Sequence, residues 1–397
     1  MSEVRVNNLT NENNTGGPTI SGITTYSGRH FFVPPQGDTA SRPSDCEPGS
    51  LRFNTDSAHL EYFRGNTIGW VEIEASSQEV GGGTGSNAGL GHRGFAYGGH
   101  EGPNGSNDYT TEIDFFTIST LGNATKFGDL TEKRGNGIAG FASRTRGIGA
   151  GGYAGSAQNI IEFITMSSEG NATDFGDLTS NREGPMGCSD STRGIVAAGW
   201  SRPNSANIRE IDYVTIAEAA NSVDFGDLIS PTNYGCGTSS TTRGLLIGGY
   251  TDPNPQTSYY TNRIEFITIA TLGDGTDFGD VNISNTNLMS AASNATRGLI
   301  WGGGGDGSNQ VNVIDFVTIA TRGNATDFGD MLAATQGGGA MSSPTRCVYY
   351  SGNGGASNVI EFVEIATTGN STDFGDAATG SHGKYTFANF SNGHGGL

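Results

Sequence analysis

Charge is scarce in this sequence, and positive charge scarcest. Of 397 residues only 15% are charged, with 21 Lys and Arg against 40 Asp and Glu. The formal net charge of −19 repels nucleic acid, and no basic patch offsets it. Cysteine is equally thin. Cys46, Cys188, Cys236 and Cys347 show no C-x-x-C spacing, so isolated reduced thiols are expected rather than a disulfide framework. His30, His59, His92, His100, His382 and His394 lack metal-ligand spacing, and neither a metal nor a cofactor is expected. No apolar run approaches the roughly 18 residues of a membrane span. The opening "MSEVRVNNLTNENN" lacks the basic and apolar regions of a signal peptide, which predicts folding in a reducing cytoplasm. A 3.6-residue apolar period is also missing, which excludes a helical solenoid.

What is abundant is glycine, at 65 residues without a G-X-Y period, alongside Thr, Ile, Phe and Tyr. That mixture favours short strands joined by tight turns. One phrase recurs six times: "NATKFGDL" (123–130), "NATDFGDL" (171–178), "NSVDFGDL" (221–228), "DGTDFGDV" (274–281), "NATDFGDM" (324–331) and "NSTDFGDA" (370–377). Upstream of each copy lies a run such as "IEFITM" (161–166) or "IDFVTI" (314–319). Before that comes Arg with a small-residue stretch ending in glycine, such as "TRGIGAGG" or "TRGLLIGG". Before that again is a Gly/Ala/Ser run, such as "GIAGFAS" or "GPMGCSD".

Each unit therefore predicts four strands, A to D, with the phrase forming D and its entry turn. Four strands in about 40–50 residues match one blade of a β-propeller. The first unit, from "HRGFAYGG" (92–99), lacks a strand A, and "GKYTFANFSNGHGGL" (383–397) resembles one. The C-terminal strand is expected to complete the first blade. The predicted fold is all-β: a six-bladed propeller over 92–397, preceded by a small β module (1–75) and a Gly/Ser linker (76–91).

The glycine pairs after strand B, Gly98–Gly99, Gly151–Gly152, Gly248–Gly249 and Gly302–Gly303, resemble those of kelch-type propellers. The kelch Tyr and Trp positions are not matched, so the resemblance implies architecture and no active site.

Three polar positions recur in every unit. Arg93, Arg146, Arg193, Arg243, Arg297 and Arg346 open strand B. Asp114, Glu162, Asp212, Glu265, Asp315 and Glu361 interrupt strand C, and Asp129, Asp177, Asp227, Asp280, Asp330 and Asp376 close the D phrase. Unpaired charge between packed blades costs several kcal/mol. Each arginine is therefore expected to bridge at least one of these acids. The Phe of the phrase is expected to anchor the core and the following Gly to permit a bulge or close approach. The N-x-T triplets at Asn123, Asn171, Asn324 and Asn370 are expected to cap turns.

"DFG" occurs without the other kinase elements, and "GGGGDGSN" (302–309) lacks the lysine of a phosphate loop. No Ser-His-Asp or paired-carboxylate constellation stands out, and an enzyme is not expected.

"GSLRFNTDSAHLEYFRGNTIGWVEIEA" (49–75) reads as a three-stranded meander, too small to be stable alone. Its elements "GSLRFNTDS", "LEYFRG" and "WVEI" resemble a module of bacteriophage tail and virion proteins, notably those of cyanophages. The D phrases and "TRG" strands resemble repeats of the same class. The resemblance implies an oligomeric virion appendage of the tail-fibre type, released by lysis, with residues 1–75 bound to other virion proteins. The propeller would then contact a host-surface glycan or protein, without nucleic acid and without membrane insertion. Tyr109, Trp200, Tyr259 and Tyr260, in the variable B–C loops, are the candidate ligand contacts. The alternatives are a purely structural head, neck or tail component and a glycan-degrading enzyme.

Overall fold

The computed structural model describes residues 34–56, 59–73, 92–101, 109–201, 204–251, 260–282, 287–305, 309–352, 357–378 and 383–397. The chain divides into two compact units, Met1–Ser77 and Gln78–Leu397. Among the described residues every regular element is a strand, and no helix is long and apolar enough to cross a membrane. The linker over 76–91 lies outside the described residues.

The small unit holds one sheet in spatial order Gln36–Gly37, Leu51–Asn54, His59–Phe63, Trp70–Glu72, the first pair parallel and the rest antiparallel. Its polarity is inverted. On one face Glu61 is fully buried, held by Arg42 at 2.7 Å, Arg52 at 3.4 Å and the Asn54 amide at 3.3 Å. The chain between the first two strands covers this face, with Arg52 donating to the Asp38 carbonyl and Trp70 Nε1 to that of Pro43. The period-2 alternation sends Leu51, Phe53, Leu60, Tyr62, Val71 and Ile73 to the other face. There Leu51, Leu60 and Ile73 are exposed at 38–43%.

Among the described residues the larger unit contains six antiparallel sheets with a core of four strands in the order A-B-C-D, and a two-stranded sheet of His100–Glu101 and Lys384–Tyr385. Sheet 2 is typical: Ala139–Ala142, Arg146–Ala150, Gln158–Thr165 and Thr173–Arg182. In sheet 1 the C-terminal Ala388–Ser391 pairs with Arg93–Tyr97, so this sheet joins both ends of the unit. The A strands touch in sequence order, and Ala388–Ser391 also packs on Ala139–Ala142, completing a cycle.

Three kinds of bond follow that cycle. First, the residue after each phrase's leading Asn (Asp274 in the fourth copy) donates its N–H to an aspartate carbonyl of the preceding sheet. Ala172 donates to Asp129 and Ala124 to Asp376, both at 2.8 Å. The Asn side chain returns the favour, as Asn171 Oδ1 accepts from Asp129 N and Asn123 Oδ1 from Asp376 N. These asparagines therefore join sheets and do not merely cap their own turns. Second, serine hydroxyls relay between A strands: Ser391 to the Ser342 carbonyl, Ser342 to Ser293, Ser293 to Ser239, Ser239 to Ser189 and Ser189 to Ala142. Third, backbone N–H groups form a closed ring. Gly137 donates to Thr386, Thr386 to Gly337, Gly337 to Leu288, Leu288 to Tyr234, Tyr234 to Gly184 and Gly184 to Gly137, over 2.7–3.1 Å. All six have positive φ, between 52° and 74°. Tyr234, Leu288 and Thr386 carry the left-handed strain, about 1–2 kcal/mol per residue, that glycine escapes.

Side-chain size explains the rest of the repeat. Each phrase Phe is buried, with 2–4% exposure, in a cluster spanning adjacent sheets. The following Gly opens a bulge and lies on the next sheet's turn. A Cβ on Gly176 would sit 2.5 Å from the Ala220 carbonyl, and one on Gly375 would sit 2.5 Å from that of Gly122. The Gly of "TRG" makes room for a strand-A side chain of the preceding sheet. A Cβ on Gly147 or Gly194 would fall 2.0 Å from the ring of Phe390 or Phe141, and one on Gly244 would fall 2.7 Å from Cys188 Sγ. Sheet 6 has Cys347 instead of Gly, and the corresponding strand-A residue in its cluster is Ala292, the smallest of the six.

Candidate functional site

The recurring arginines do not do what their sequence pattern predicts. Among the described residues, none pairs with its predicted strand-C acid or D-phrase aspartate. Instead each guanidinium lies 4.3–5.1 Å from the ring centre of its own sheet's strand-C aromatic: Phe115, Phe163, Tyr213, Phe266, Phe316 or Phe362. Its Nη1 donates to a main-chain carbonyl of the next sheet. Arg93 reaches Met166, Arg146 Ile216, Arg193 Ile269, Arg243 Ile319, Arg297 Ile365 and Arg346 Ile118. Arg346 adds an ion pair to Glu364 at 2.9 Å. The last link, from sheet 6 to sheet 1, closes this set on itself.

Register is the reason the predicted pairs fail. Arg146 stands opposite Thr165, whereas Asp177 stands opposite Ile160, five residues or roughly 17 Å along strand C. The D-phrase aspartates are half-exposed or exposed. Asp129 pairs with Lys126 at 2.9 Å and Asp227 with Arg209 at 3.4 Å. Nothing in the structure accounts for an aspartate at this position in all six copies.

The buried strand-C acids find other donors. Glu162 takes the Thr131 N–H and Arg134, while Asp212 takes the Thr179 N–H and Arg182. Asp114 takes Lys384 at 2.9 Å and the Tyr350 hydroxyl at 2.8 Å. Glu265 takes the Ile229 N–H, with Arg263 more distant at 3.8 Å. Among the described residues, Asp315 and Glu361 receive only neutral donors, from Asn282 and from Leu332 and Ser371. Burial raises the pKa of Glu265, Asp315 and Glu361 above the usual carboxylate range. Among the described residues, no group of three His, Cys, Asp or Glu side chains is placed to hold a metal.

The axis of the A strands is filled. A cavity of about 40 Å³ is lined by Ser189, Ser239, Ser342, Ser391 and His394, among others. It admits nothing much larger than water. His394 Nε2 lies 2.9 Å from the Ala142 carbonyl, where the serine relay ends, and its Nδ1 accepts from Gly396 N–H. Burial lowers the His394 pKa to about 4. Cys188 and Cys347 are also buried, which pushes both thiols up to about 12.

Partly exposed aromatics gather instead at the opposite sheet ends, where strands B and C are joined. Tyr109, one of the predicted contacts, belongs to a group assembled from three segments. The His100 ring lies 4.5 Å from that of Tyr109 and 4.6 Å from that of Tyr385, and Tyr153 lies 5.7 Å from Tyr109. Asn136 ties the group together. Its Oδ1 is 2.6 Å from His100 Nε2, which places the ring proton on Nε2, and its Nδ2 donates to the Tyr109 hydroxyl at 3.3 Å. Gly135 lies beneath, where a Cβ would be 2.5 Å from the Tyr109 ring. Three of these residues escaped the sequence reading. Tyr153 sits in a short B–C turn, Tyr385 precedes the C-terminal strand, and Asn136 carries a φ of 53° that no local pattern announces.

Trp200 and Tyr260 fall in a separate group. Trp200 pairs across strands with Asn207, whose amide donates to the Tyr250 carbonyl, and Tyr250 lies 5.7 Å from Tyr260. Tyr259 lies outside the described residues. No protein-family model matches the chain, and no curated protein matches it.

Proposed function

We propose that the chain is a non-enzymatic virion appendage of a bacteriophage. Its N-terminal unit docks on the particle, and residues 92–397 form a six-bladed β-propeller displayed for host-surface recognition. The observation that carries the docking half is the inverted small sheet. A sheet buries one face and seeks cover for the other. Here the covered face holds the buried Glu61 and its arginines beside Phe63 and Trp70, and the open face is mostly apolar, from Leu51 to Ile73, with Gln36 at its edge. Such a face fits an apolar surface on another virion protein.

The propeller reading is supported by the order of the four bond sets: three close on themselves through the six sheets in sequence order, and the serine relay runs through the same six without closing. Display is supported by where variation lies. The arginine ends of the sheets are near copies, and differences concentrate in the B–C connections. The sequence resemblance to cyanophage virion proteins supports the setting.

The test is incorporation into particles. Virions assembled with a Leu60→Asp chain should lose the protein, while the soluble chain keeps its melting temperature. Retention of the variant at the normal copy number would refute docking through this face. In the assembled particle the repeat unit should project into solvent. A repeat unit enclosed between capsid or tail subunits would replace the display reading with a purely structural one.

A further inference from the structure

The geometry points to a neutral-glycan site formed by Tyr109, Tyr153, Tyr385 and Asn136 beside the B–C ends of sheets 1 and 2. This inference rests on the display reading and gives it a location and a ligand class. The three tyrosines are partly exposed and come from three separate segments. They converge on His100, which is 3% exposed and fills the space between two of their rings. A tyrosine held by its neighbours loses little freedom on binding, so its ring offers a low-cost platform for the C–H face of a sugar.

The polar part is equally fixed. His100 and Tyr109 together hold the Asn136 amide in one orientation. One Nδ2 proton goes to Tyr109, leaving the second for a sugar hydroxyl oxygen. Asn136 holds this position with left-handed backbone, at φ 53°. The next residue, Gly137, is a member of the backbone ring that closes the six sheets, which gives the amide a rigid base.

Charge selects among glycans. Two basic groups near the site are committed: Lys384 is buried against Asp114, and Arg134 is buried against Glu162. Lys133, three residues before Asn136, is exposed, but the net charge of −19 repels sulfate and uronate alike.

Affinity electrophoresis tests the site, because so acidic a chain migrates freely in native gels. The full chain would be run through gels containing dextran, mannan or galactan. At least one polymer should retard it. Tyr109→Ala and Tyr153→Ala should weaken retardation at least tenfold, Tyr109→Phe should largely restore it, and Trp200→Ala and Tyr260→Ala should leave it unchanged. Matching melting temperatures would separate lost binding from lost folding. Absence of retardation in all three polymers, or equal loss in Tyr260→Ala, would overturn the proposal. Adsorption of fluorescent protein to host cells distinguishes the two levels. Cell binding that survives Tyr109→Ala removes the glycan site and leaves the display reading standing. Shortening of the polymer during incubation would instead indicate an enzyme.

Discussion

The two ends of the six sheets close their cycles by different means. At the arginine end the links are made by side chains: an arginine reaching a carbonyl of the next sheet and a serine reaching the preceding A strand. At the other end the link is backbone to backbone, through Gly137, Gly184, Tyr234, Leu288, Gly337 and Thr386. A side-chain bond requires the same residue in each copy, so the arginine end is written repeatedly. A backbone bond requires only a φ, so residue identity there is free to drift. The aromatic groups lie at the end where identity is free.

The largest effect should come from opening the cycle altogether. Deleting residues 383–397 removes the partner of Arg93–Tyr97, the Thr386 link and His394. Cooperative thermal unfolding should disappear and proteolysis accelerate. A truncated chain melting as sharply as the full one would show that closure contributes little at either end.

Next come the glycines that accommodate neighbouring side chains. Gly194→Ala drives a methyl into the Phe141 ring and should cost about 3 kcal/mol, the upper range for overpacking. Gly298→Ala meets Thr238 Cγ2 only at 3.2 Å and should cost under about 1 kcal/mol. Urea midpoints that fail to separate the two would refute size as the reason for "TRG".

Acid should then act at the arginine end, where His394 seals the axis. Its folded pKa of about 4 lies below the ordinary imidazole value of about 6.5, so the fold prefers the neutral ring. That contribution is complete above pH 6.5 and is lost as pH falls toward 4. The shift corresponds to about 3 kcal/mol. In His394→Gln the loss of stability between pH 7 and pH 4.5, as read from urea curves, should shrink by about 2.5 kcal/mol, most of that shift. An unchanged slope would mean that other groups carry the acid response.

How far these features were legible in the sequence follows the same division. The phrase, its buried Phe and bulging Gly, and the C-terminal strand of the first sheet could all be read, because each is a local pattern repeated in register. The arginine partners could not. Counting one positive and two negative positions per unit identifies which charges need partners, but it says nothing about their position along the strand. The partners turned out to be carbonyls and aromatic rings, which the charge count omits. Asn136 and Tyr385 were equally hidden, since their roles depend on φ and on a contact across more than two hundred residues. In the small unit, alternation marked two faces but not which one was covered, because the cover is an irregular stretch with Asp38 and Pro43.

The smallest predicted effects separate the two recurring charges of the repeat. Arg243 gives charge-assisted bonds to the Ile319 and Ala320 carbonyls and lies over the Phe266 ring. Arg243→Ala leaves those acceptors to water and should cost about 2 kcal/mol. Asp177 recurs as strictly, yet its linking group is the main-chain N–H to Asn221, which any residue supplies. Its carboxylate is exposed and makes no hydrogen bond or ion pair among the described residues. Asp177→Ala should therefore stay within about 0.5 kcal/mol. Asn221→Ala removes the acceptor and should cost more than Asp177→Ala, about 1 kcal/mol. If urea denaturation reverses that order, the aspartate side chain has a structural partner that its exposed position conceals. If the order holds, the repeated Asp is not required for the stability of the sheets, and its six copies call for an explanation outside the isolated chain.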